Sequence, residues 1–329
     1  MIRFVGSEFL QQPRDVTGPE LIMIEDHHYN EELGCYPIQQ LLDDSPYQHT
    51  VVFDHVLRHE GPLSRYDLIF VPAFLARTCR DFVQQNIVPD WGQRPYTFNF
   101  MINKPRLHRE FLLVLIDHFK LTNYTHTLCW KKAWINPDLV DARYRPLVRQ
   151  PVSIEPRQFL LGQENLLDRG LQYRQVRNSQ NYQSFLQHEL FENSCVSIIT
   201  EPAFYEQETI ITEKTIMALW GGTIPIWMGG WRIADYLGDL GFDTFDDVVD
   251  HSYQALADPW DRAYYAIERN LALLQDHASL ERFCSQNRER FEHNLDLVKS
   301  NIFQRQCTEM MAQRSELSGL FTDLSGPAC

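Results

Sequence analysis

The chain has 329 residues, which is enough for two domains of ordinary size. It is acidic, because 44 Asp and Glu residues against 30 Lys and Arg residues give a formal net charge of −14. This balance disfavours binding to duplex nucleic acid, since proteins that bind its phosphates are normally basic. Hydrophobic residues make up 44% of the sequence, so the chain can bury a sizeable core and is not of the disordered class.

The sequence shows no sign of secretion or of membrane insertion. No apolar run approaches the roughly 20 residues that a membrane span needs, and the first residues are typical of a strand rather than of a signal peptide. The seven cysteines are odd in number and never form a Cys-x-x-Cys pair, which disfavours a disulfide framework and a zinc ribbon. We therefore expect a cytoplasmic protein with no membrane span and no nucleic-acid partner.

The first part of the chain alternates apolar runs with polar, turn-rich segments. Three near-continuous apolar runs predict buried strands at Leu21–Ile24, Thr50–Phe53 and Tyr66–Pro72, and the start of the chain predicts another. Segments 36–42 and 74–85 can form helices between them. Alternation of this kind predicts a parallel α/β sheet. Because Pro and Gly interrupt the pattern at residues 89–95, we place a domain boundary there, between residues 1–92 and 93–329.

Strand–helix alternation continues in the second part of the chain. Residues 137–157 are rich in Pro and Arg and predict a long surface connection or an irregular insertion. The expected elements are a strand at 96–102, a helix at 107–119, a strand at 195–200, a polar loop up to Ile210, a helix at 213–220, a strand at 224–228 and a charged, helix-periodic tail at 261–309.

The most informative stretch is segment 197–247. Thr212 is placed to cap a helix, Glu213 lies in its first turn, and Gly221-Gly222 can end it. The start of this helix would lie at the carboxyl end of a parallel strand, where open α/β sheets bind ligands. Free backbone N–H groups beside Lys214 suit a phosphate, and the Glu213 carboxylate suits ribose hydroxyls. The alternative is a capped helix with an ordinary surface Lys–Glu pair.

The strings ITEK, GGTIPIWMG and LGFDTFDD within this segment carry a family resemblance. They resemble the donor site of the α1,3-fucosyltransferases of glycosyltransferase family 10 and, more closely, fucosyltransferase-like bacterial and viral glycosyltransferases. This resemblance implies an α/β GT-B-like fold, in which two Rossmann-like domains face each other across a cleft. It also implies metal-independent, inverting transfer of fucose or a related sugar. The donor would be a nucleoside diphosphate sugar, GDP-fucose first, the acceptor a glycan hydroxyl, and no cofactor would be needed.

The resemblance also implies roles for single residues. Glu213 would hold the ribose and Lys214 the diphosphate, with Thr212 shaping the turn and Glu201 at the same donor site. Segment 98–109 resembles the first strand and helix of the donor domain, where a basic residue neutralises the diphosphate. The candidates for that residue, in order of preference, are Arg109, Arg106 and Lys104; the alternative is a set of ordinary surface arginines. Gly229 would let the backbone approach the ligand closely.

A catalytic base for the acceptor hydroxyl is expected at the carboxyl ends of the first strands. Asp26 is the first candidate, and the others are His27, Glu25 and Asp54. Two further functions stay open. The first is a metal-dependent hydrolase that uses Asp26, His27 and His28 with Asp54-His55, and the second is a non-catalytic subunit that binds a nucleotide sugar.

The string LGFDTFDD is interpreted mainly as structural, with Gly241 in a turn and Phe242 and Phe245 packed in the core. Its aspartates also suggest a metal cluster, although a solvated helix cap is the preferred interpretation for them.

Overall fold

The computed structural model describes residues 2–5, 21–24, 50–53, 56–60, 67–84, 89–102, 106–128, 135–148, 188–202, 204–205, 207–314 and 317. These residues form a mixed α/β protein with two parallel sheets. The strands are β1 (Ile2–Val5), β2 (Leu21–Ile24), β3 (Thr50–Phe53), β4 (Val56–His59), β5 (Asp67–Phe70), β6 (Tyr96–Ile102), β7 (Tyr124–Leu128), β8 (Ser194–Ile199), β9 (Glu208–Ile210) and β10 (Ile224–Trp227).

Helices connect and cover these sheets. They are α1 (Ala73–Gln84), α2 (Leu107–His118), α3 (His188–Glu192), α4 (Glu213–Trp220), α5 (Ile233–Asp239), α6 (Pro259–Glu268), α7 (Leu271–Gln275), α8 (His277–Gln286), α9 (Arg288–Lys299) and α10 (Ile302–Gln313). The expected surface connection contains short 3₁₀ turns at Pro137–Leu139 and Arg145–Leu147. The helix expected at 36–42 lies outside the described residues. The helices that the structure describes are all too short or too polar to cross a bilayer.

The two large sheets are parallel throughout their described strands. The first has the order β1-β2-β3-β5, and the second has the order β10-β8-β6-β7. In the first sheet, the strand order follows the chain. In the second sheet, β7 lies on one side of β6 while β8 and β10 lie on the other, so the direction in which successive strands are added reverses between β6 and β8. This reversal is a topological switch point, the place where such sheets leave a crevice for ligands.

The second sheet is covered by helices on both faces. Almost every residue of β6, β8 and β10 is buried, which explains why these strands are continuously apolar rather than alternating. Side chains alternate between two cores, because successive residues of a strand point to opposite faces. Phe98 and Phe100 pack in the core that contains α2, whereas Met101 packs in the core that contains α4.

A small antiparallel sheet of β4 and β9 joins the two parts of the described chain. The sequence predicted a polar loop before Ile210, but Glu208 and Thr209 are fully buried in β9. The reason is that β9 forms its ladder with β4, which lies about 150 residues earlier in the chain, as the pairing of Val56 with Ile210 shows. The hydroxyl of Thr209 donates to the carbonyl of Trp231 at 2.5 Å, which satisfies one of these buried polar groups.

Helix α4 ends where its glycines predicted. Gly222 has a φ of 65°, and the N–H groups of Gly222 and Thr223 donate to the carbonyls of Leu219 and Ala218 at 3.3 and 3.0 Å. These two bonds form a Schellman motif, which needs a left-handed residue after the helix. A Cβ on Gly222 would also lie 2.4 Å from Cζ3 of Trp91, so neither the backbone nor the space tolerates a side chain.

We expect Gly222→Ala to lower the free energy of unfolding by about 2 to 4 kcal/mol, because left-handed strain and overpacking add. Gly238→Ala is the matched control: it lies in α5 without a positive φ, and its Cβ would meet no atom within 4 Å. That control should be neutral or stabilising by about 0.5 to 1 kcal/mol. Urea unfolding of both variants makes the comparison, and equal stabilities would contradict this description of the α4 terminus.

Candidate functional site

The candidate site lies at the carboxyl ends of β6 and β8, on either side of the switch point. Helix α2 begins after β6 with the N-cap residue Arg106. Thr200 and Glu201 follow β8 directly, and α4 begins nearby after the N-cap residue Thr212. We call this group the switch-point site, and it consists of Arg106, His108, Arg109, Thr200, Glu201, Thr212, Glu213 and Lys214.

The start of α4 is built as the sequence predicted. The Thr212 hydroxyl accepts from the backbone N–H of Lys214 at 3.4 Å, and Glu213 lies in the first turn, where the helix dipole favours a carboxylate. The Lys214 ammonium lies 3.4 Å from the Thr212 hydroxyl and 3.3 Å from the Glu213 carboxylate. Among the described residues, these are its hydrogen-bond partners, which leaves one of its three N–H groups for a ligand.

The first backbone N–H groups of α4 already have partners, contrary to the expectation that they are free for a phosphate. The N–H of Thr212 donates to the Glu201 carboxylate at 3.0 Å, and the N–H of Lys214 donates to the Thr212 hydroxyl. The N–H of Glu213 bonds its own carboxylate, and the N–H of Thr215 donates to the carbonyl of Thr212 at 3.2 Å. The reason is that side-chain oxygens cap this helix from two directions. The Lys214 ammonium, rather than the helix backbone, is therefore the group that this end of α4 offers to an anion.

Glu201 is fully buried beneath the start of α4. Its carboxylate accepts from the hydroxyls of Thr212 and Thr215 at 2.5 and 2.6 Å, in addition to the N–H of Thr212. Burial raises the pKa of this carboxyl, although the charge of Lys214 and these hydrogen bonds oppose the increase. A side chain with no exposed surface does not touch a ligand directly, so the contribution of Glu201 to the site is made through α4.

The first turn of α2 brings the basic groups of the site against the end of β8. Arg106 donates to the carbonyl of Pro202 at 3.0 Å, and Arg109 lies 3.5 Å from the carbonyl of Thr200. His108 was not predicted from sequence, but its Nε2 lies 2.9 Å from the carbonyl of Glu201. Because a carbonyl only accepts, this nitrogen carries the proton of the ring. These contacts hold the first turn of α2 against the carboxyl end of β8.

The electrostatics of the site favour an anionic ligand. Burial lowers the pKa of Arg109 to about 10, with a further contribution from Arg106, so Arg109 keeps its charge at neutral pH. Burial and the two arginines hold the pKa of His108 well below its usual range, so His108 is neutral. Burial raises the pKa of Glu213, but the charges of Lys214 and Arg109 and its hydrogen bonds bring it below the ordinary value.

The charges in the site consequently do not cancel. Arg106, Arg109 and Lys214 carry three positive charges, and Glu201 and Glu213 carry at most two negative charges. The hydroxyl of Thr200 is also buried and has no hydrogen-bond partner among the described residues. Buried polar groups normally have a partner, and a ligand bound at this edge would supply one.

The structure brings most of the predicted site residues together. Six of the donor-site candidates meet here: Arg106, Arg109, Glu201, Thr212, Glu213 and Lys214. Gly229 follows β10 with a φ of 98°, which a glycine adopts without strain. The candidate bases Asp26 and His27 lie outside the described residues, as do Glu25, His28, Lys104, Asp54 and His55, so these assignments stay predictions.

The acidic string at 240–247 forms a structural turn. Gly241 has a φ of 89°, Phe242 and Phe245 are buried, and Arg290 bridges the carboxylates of Asp243 and Asp247. The interpretation of this string as a turn with packed aromatic residues is confirmed. Within the described ranges, no three His, Cys, Asp or Glu side chains are placed to hold a metal ion together.

Comparison with known proteins identifies no relative. No family model matches the chain, and neither a curated protein nor a solved structure matches it. The fucosyltransferase-like character of segment 197–247 therefore stays a prediction from its motifs. The residues of the switch-point site and their position on the second sheet indicate what the chain can bind.

Proposed function

We propose that the chain is a metal-independent glycosyltransferase that binds a nucleoside diphosphate sugar at the switch-point site. It transfers fucose or a related sugar to a glycan hydroxyl with inversion, and GDP-fucose is the first candidate donor. Residues 93–329 form the donor domain and residues 1–92 the acceptor side of a GT-B-like arrangement. On this proposal the protein is cytoplasmic and uses no cofactor.

One observation carries the proposal: the Lys214 ammonium and the guanidinium groups of Arg106 and Arg109 flank the switch point of a parallel sheet. Open α/β sheets bind ligands at such points, outside the carboxyl ends of their strands. A diphosphate carries the charge that three partly desolvated cations attract, and the planar arginine fork suits phosphate oxygens. The Glu213 carboxylate lies beside them, and its pKa is lower than the ordinary value. It is an acceptor for ribose hydroxyls.

The proposed transfer is a direct displacement. The acceptor oxygen forms a bond to the anomeric carbon while the bond from that carbon to the diphosphate oxygen breaks. The acceptor proton passes to a base, for which Asp26 and then His27 are the candidates. Negative charge grows on the departing diphosphate, and Lys214 with the two arginines stabilises it there. Fixed cations in a desolvated site are effective for this purpose, because they need no reorganisation during the reaction.

Thermal unfolding against a panel of nucleotides tests the proposal. Each of GDP, UDP, ADP and CDP, with its common nucleotide sugars, is added to the chain with and without EDTA. A ligand that binds the folded state alone, at 100 times its Kd, stabilises that state by about 2.7 kcal/mol. We expect one diphosphate and its sugar to raise the melting temperature, and EDTA not to reverse the increase.

The other outcomes of this panel separate the rival functions. If no nucleotide raises the melting temperature at millimolar concentration, the proposed donor site is wrong. If EDTA removes the stabilisation or lowers the melting temperature of the free protein, a metal-dependent enzyme is favoured instead. If a nucleotide sugar binds but no acceptor ever causes its consumption, the chain is a binding subunit rather than a transferase.

A further inference from the structure

The hydrogen bonds around Glu201 have a fixed direction. The Thr212 hydroxyl accepts from the N–H of Lys214 at 3.4 Å and lies 3.4 Å from the Lys214 ammonium, so its own proton is left for Glu201 at 2.5 Å. Trp227 Nε1 donates to the Thr215 hydroxyl at 3.0 Å, and the proton of that hydroxyl therefore points to Glu201 at 2.6 Å. Two chains of donors end on one carboxylate.

A carboxylate, which accepts hydrogen bonds and donates none, is the group that these three donors require at position 201. The Glu201 carboxylate takes all three bonds on its two oxygens: Oε1 accepts from the Thr212 N–H and the Thr215 hydroxyl, and Oε2 accepts from the Thr212 hydroxyl. A glutamine of the same shape would place an N–H₂ group where one oxygen now accepts, opposite groups that also donate. A side chain with no exposed surface has no alternative partner in water, so the mismatch would have to move α4.

We propose that Glu201 is a positioning residue for the anion-binding end of α4. Its carboxylate accepts from the hydroxyl and the N–H of Thr212, and the Thr212 hydroxyl in turn accepts from the backbone N–H and the ammonium of Lys214. These bonds keep the ammonium beside Glu213, at the switch point. This inference rests on the proposed function, since it assigns the cause of Lys214's placement in the same site. The carbonyl of the same residue accepts from His108 of α2, so residue 201 connects both helices that flank the site.

Glu201→Gln and Thr215→Val form a matched pair that tests the inference. Both variants remove a buried hydrogen bond from the same network and lower stability. The network has two branches, one from Glu201 through Thr212 to Lys214 and one from Glu201 through Thr215 to Trp227. Only Glu201→Gln disturbs the branch that leads to Lys214. We expect Glu201→Gln to weaken binding of the diphosphate found in the panel by on the order of 10-fold or more, because small displacements of a binding group are costly. Thr215→Val should bind it within about 2-fold of the native chain, since its branch leads to Trp227.

Affinity is measured by calorimetric titration well below the melting temperatures of both variants. A purely structural role for Glu201 predicts that the two variants lose stability and keep native affinity, and that result overturns the inference. If Glu201→Gln does not fold, Thr212→Val replaces it, because it breaks the same branch at the next residue. Thr212→Val is expected to weaken binding by a similar factor, and native affinity in that variant also overturns the inference.

Lys214→Ala, titrated in the same way, separates failure of this inference from failure of the proposed function. If the native chain binds no diphosphate, or Lys214→Ala binds it normally, then the proposed function is wrong and Glu201 has no such ligand to position. If Lys214→Ala loses binding while Glu201→Gln keeps it, then the donor site stands and the positioning role is wrong.

Discussion

Replacing Lys214 with Ala is expected to lower kcat/KM for the donor by about 100- to 1000-fold, the range measured when one preorganised donor to a developing negative charge is removed. Part of the loss should appear in donor affinity, because the ammonium also attracts the ground-state diphosphate. The fold should survive, since the Lys214 side chain makes two long hydrogen bonds, to Thr212 and Glu213. Steady-state kinetics with the donor, together with the melting temperature, measure both effects.

Lys120→Ala is the control for this substitution. Lys120 follows α2 at the end opposite to Arg106, and its side chain is 77% exposed in a pair with Asp117. Removing it takes the same charge from the chain without touching the switch-point site, so donor kinetics should not change. Equal kinetics for Lys214→Ala and the native chain would show that the diphosphate does not bind at the start of α4.

Replacing Arg94 with Met is expected to lower the free energy of unfolding by about 3 to 5 kcal/mol, because a buried cation that bonds several carbonyls is lost. Arg94 is buried and donates to the carbonyls of Ser194 at 2.6 Å, Gly221 at 3.1 Å and Phe191 at 3.5 Å. It thereby joins the start of β8 to the end of α4. Methionine fills a similar volume but leaves these carbonyls without their donor.

Arg58→Met is the matched control for Arg94→Met. Arg58 pairs with Asp239, but the two side chains are 39% and 65% exposed, and exposed pairs of this kind contribute no more than about 1 kcal/mol. Urea unfolding with an unchanged m-value gives both numbers. A loss of similar size for the two variants would contradict the view that Arg94 anchors β8 to α4.

Sequence patterns located α4 to the residue because both of its ends carry local chemical signals. Thr212 supplies the cap, and Gly222 supplies the left-handed end, so the predicted range 213–220 is the observed one. The buried strands β2, β3, β6 and β8 could also be predicted from the sequence, because a run of apolar residues between turn signals is sufficient to indicate them. Their parallel arrangement was predicted from the helices expected between them.

Features that depend on partners far away in the sequence could not be predicted from local patterns. Strand β9 has three residues and no periodicity, and it forms because β4 pairs with it from far along the chain. The sequence placed Glu201 at the donor site but gave no sign that its side chain faces inward. The part played by His108 depends on the approach of α2 to the end of β8. The strand order that creates the switch point is likewise a property of the whole sheet.

Amide hydrogen exchange shows whether a diphosphate binds where α2 and α4 meet the end of β8. Exchange is compared for the free chain, the chain with millimolar pyrophosphate, and the chain with the diphosphate that the nucleotide panel selects. We expect slower exchange in peptides that cover 106–110, 199–202 and 212–216. Exchange in α8 should not change, because its Cys284 lies beside Cys195 at the start of β8, the end opposite to the site. Protection confined to other segments, or no protection at saturating ligand, would contradict binding at this site.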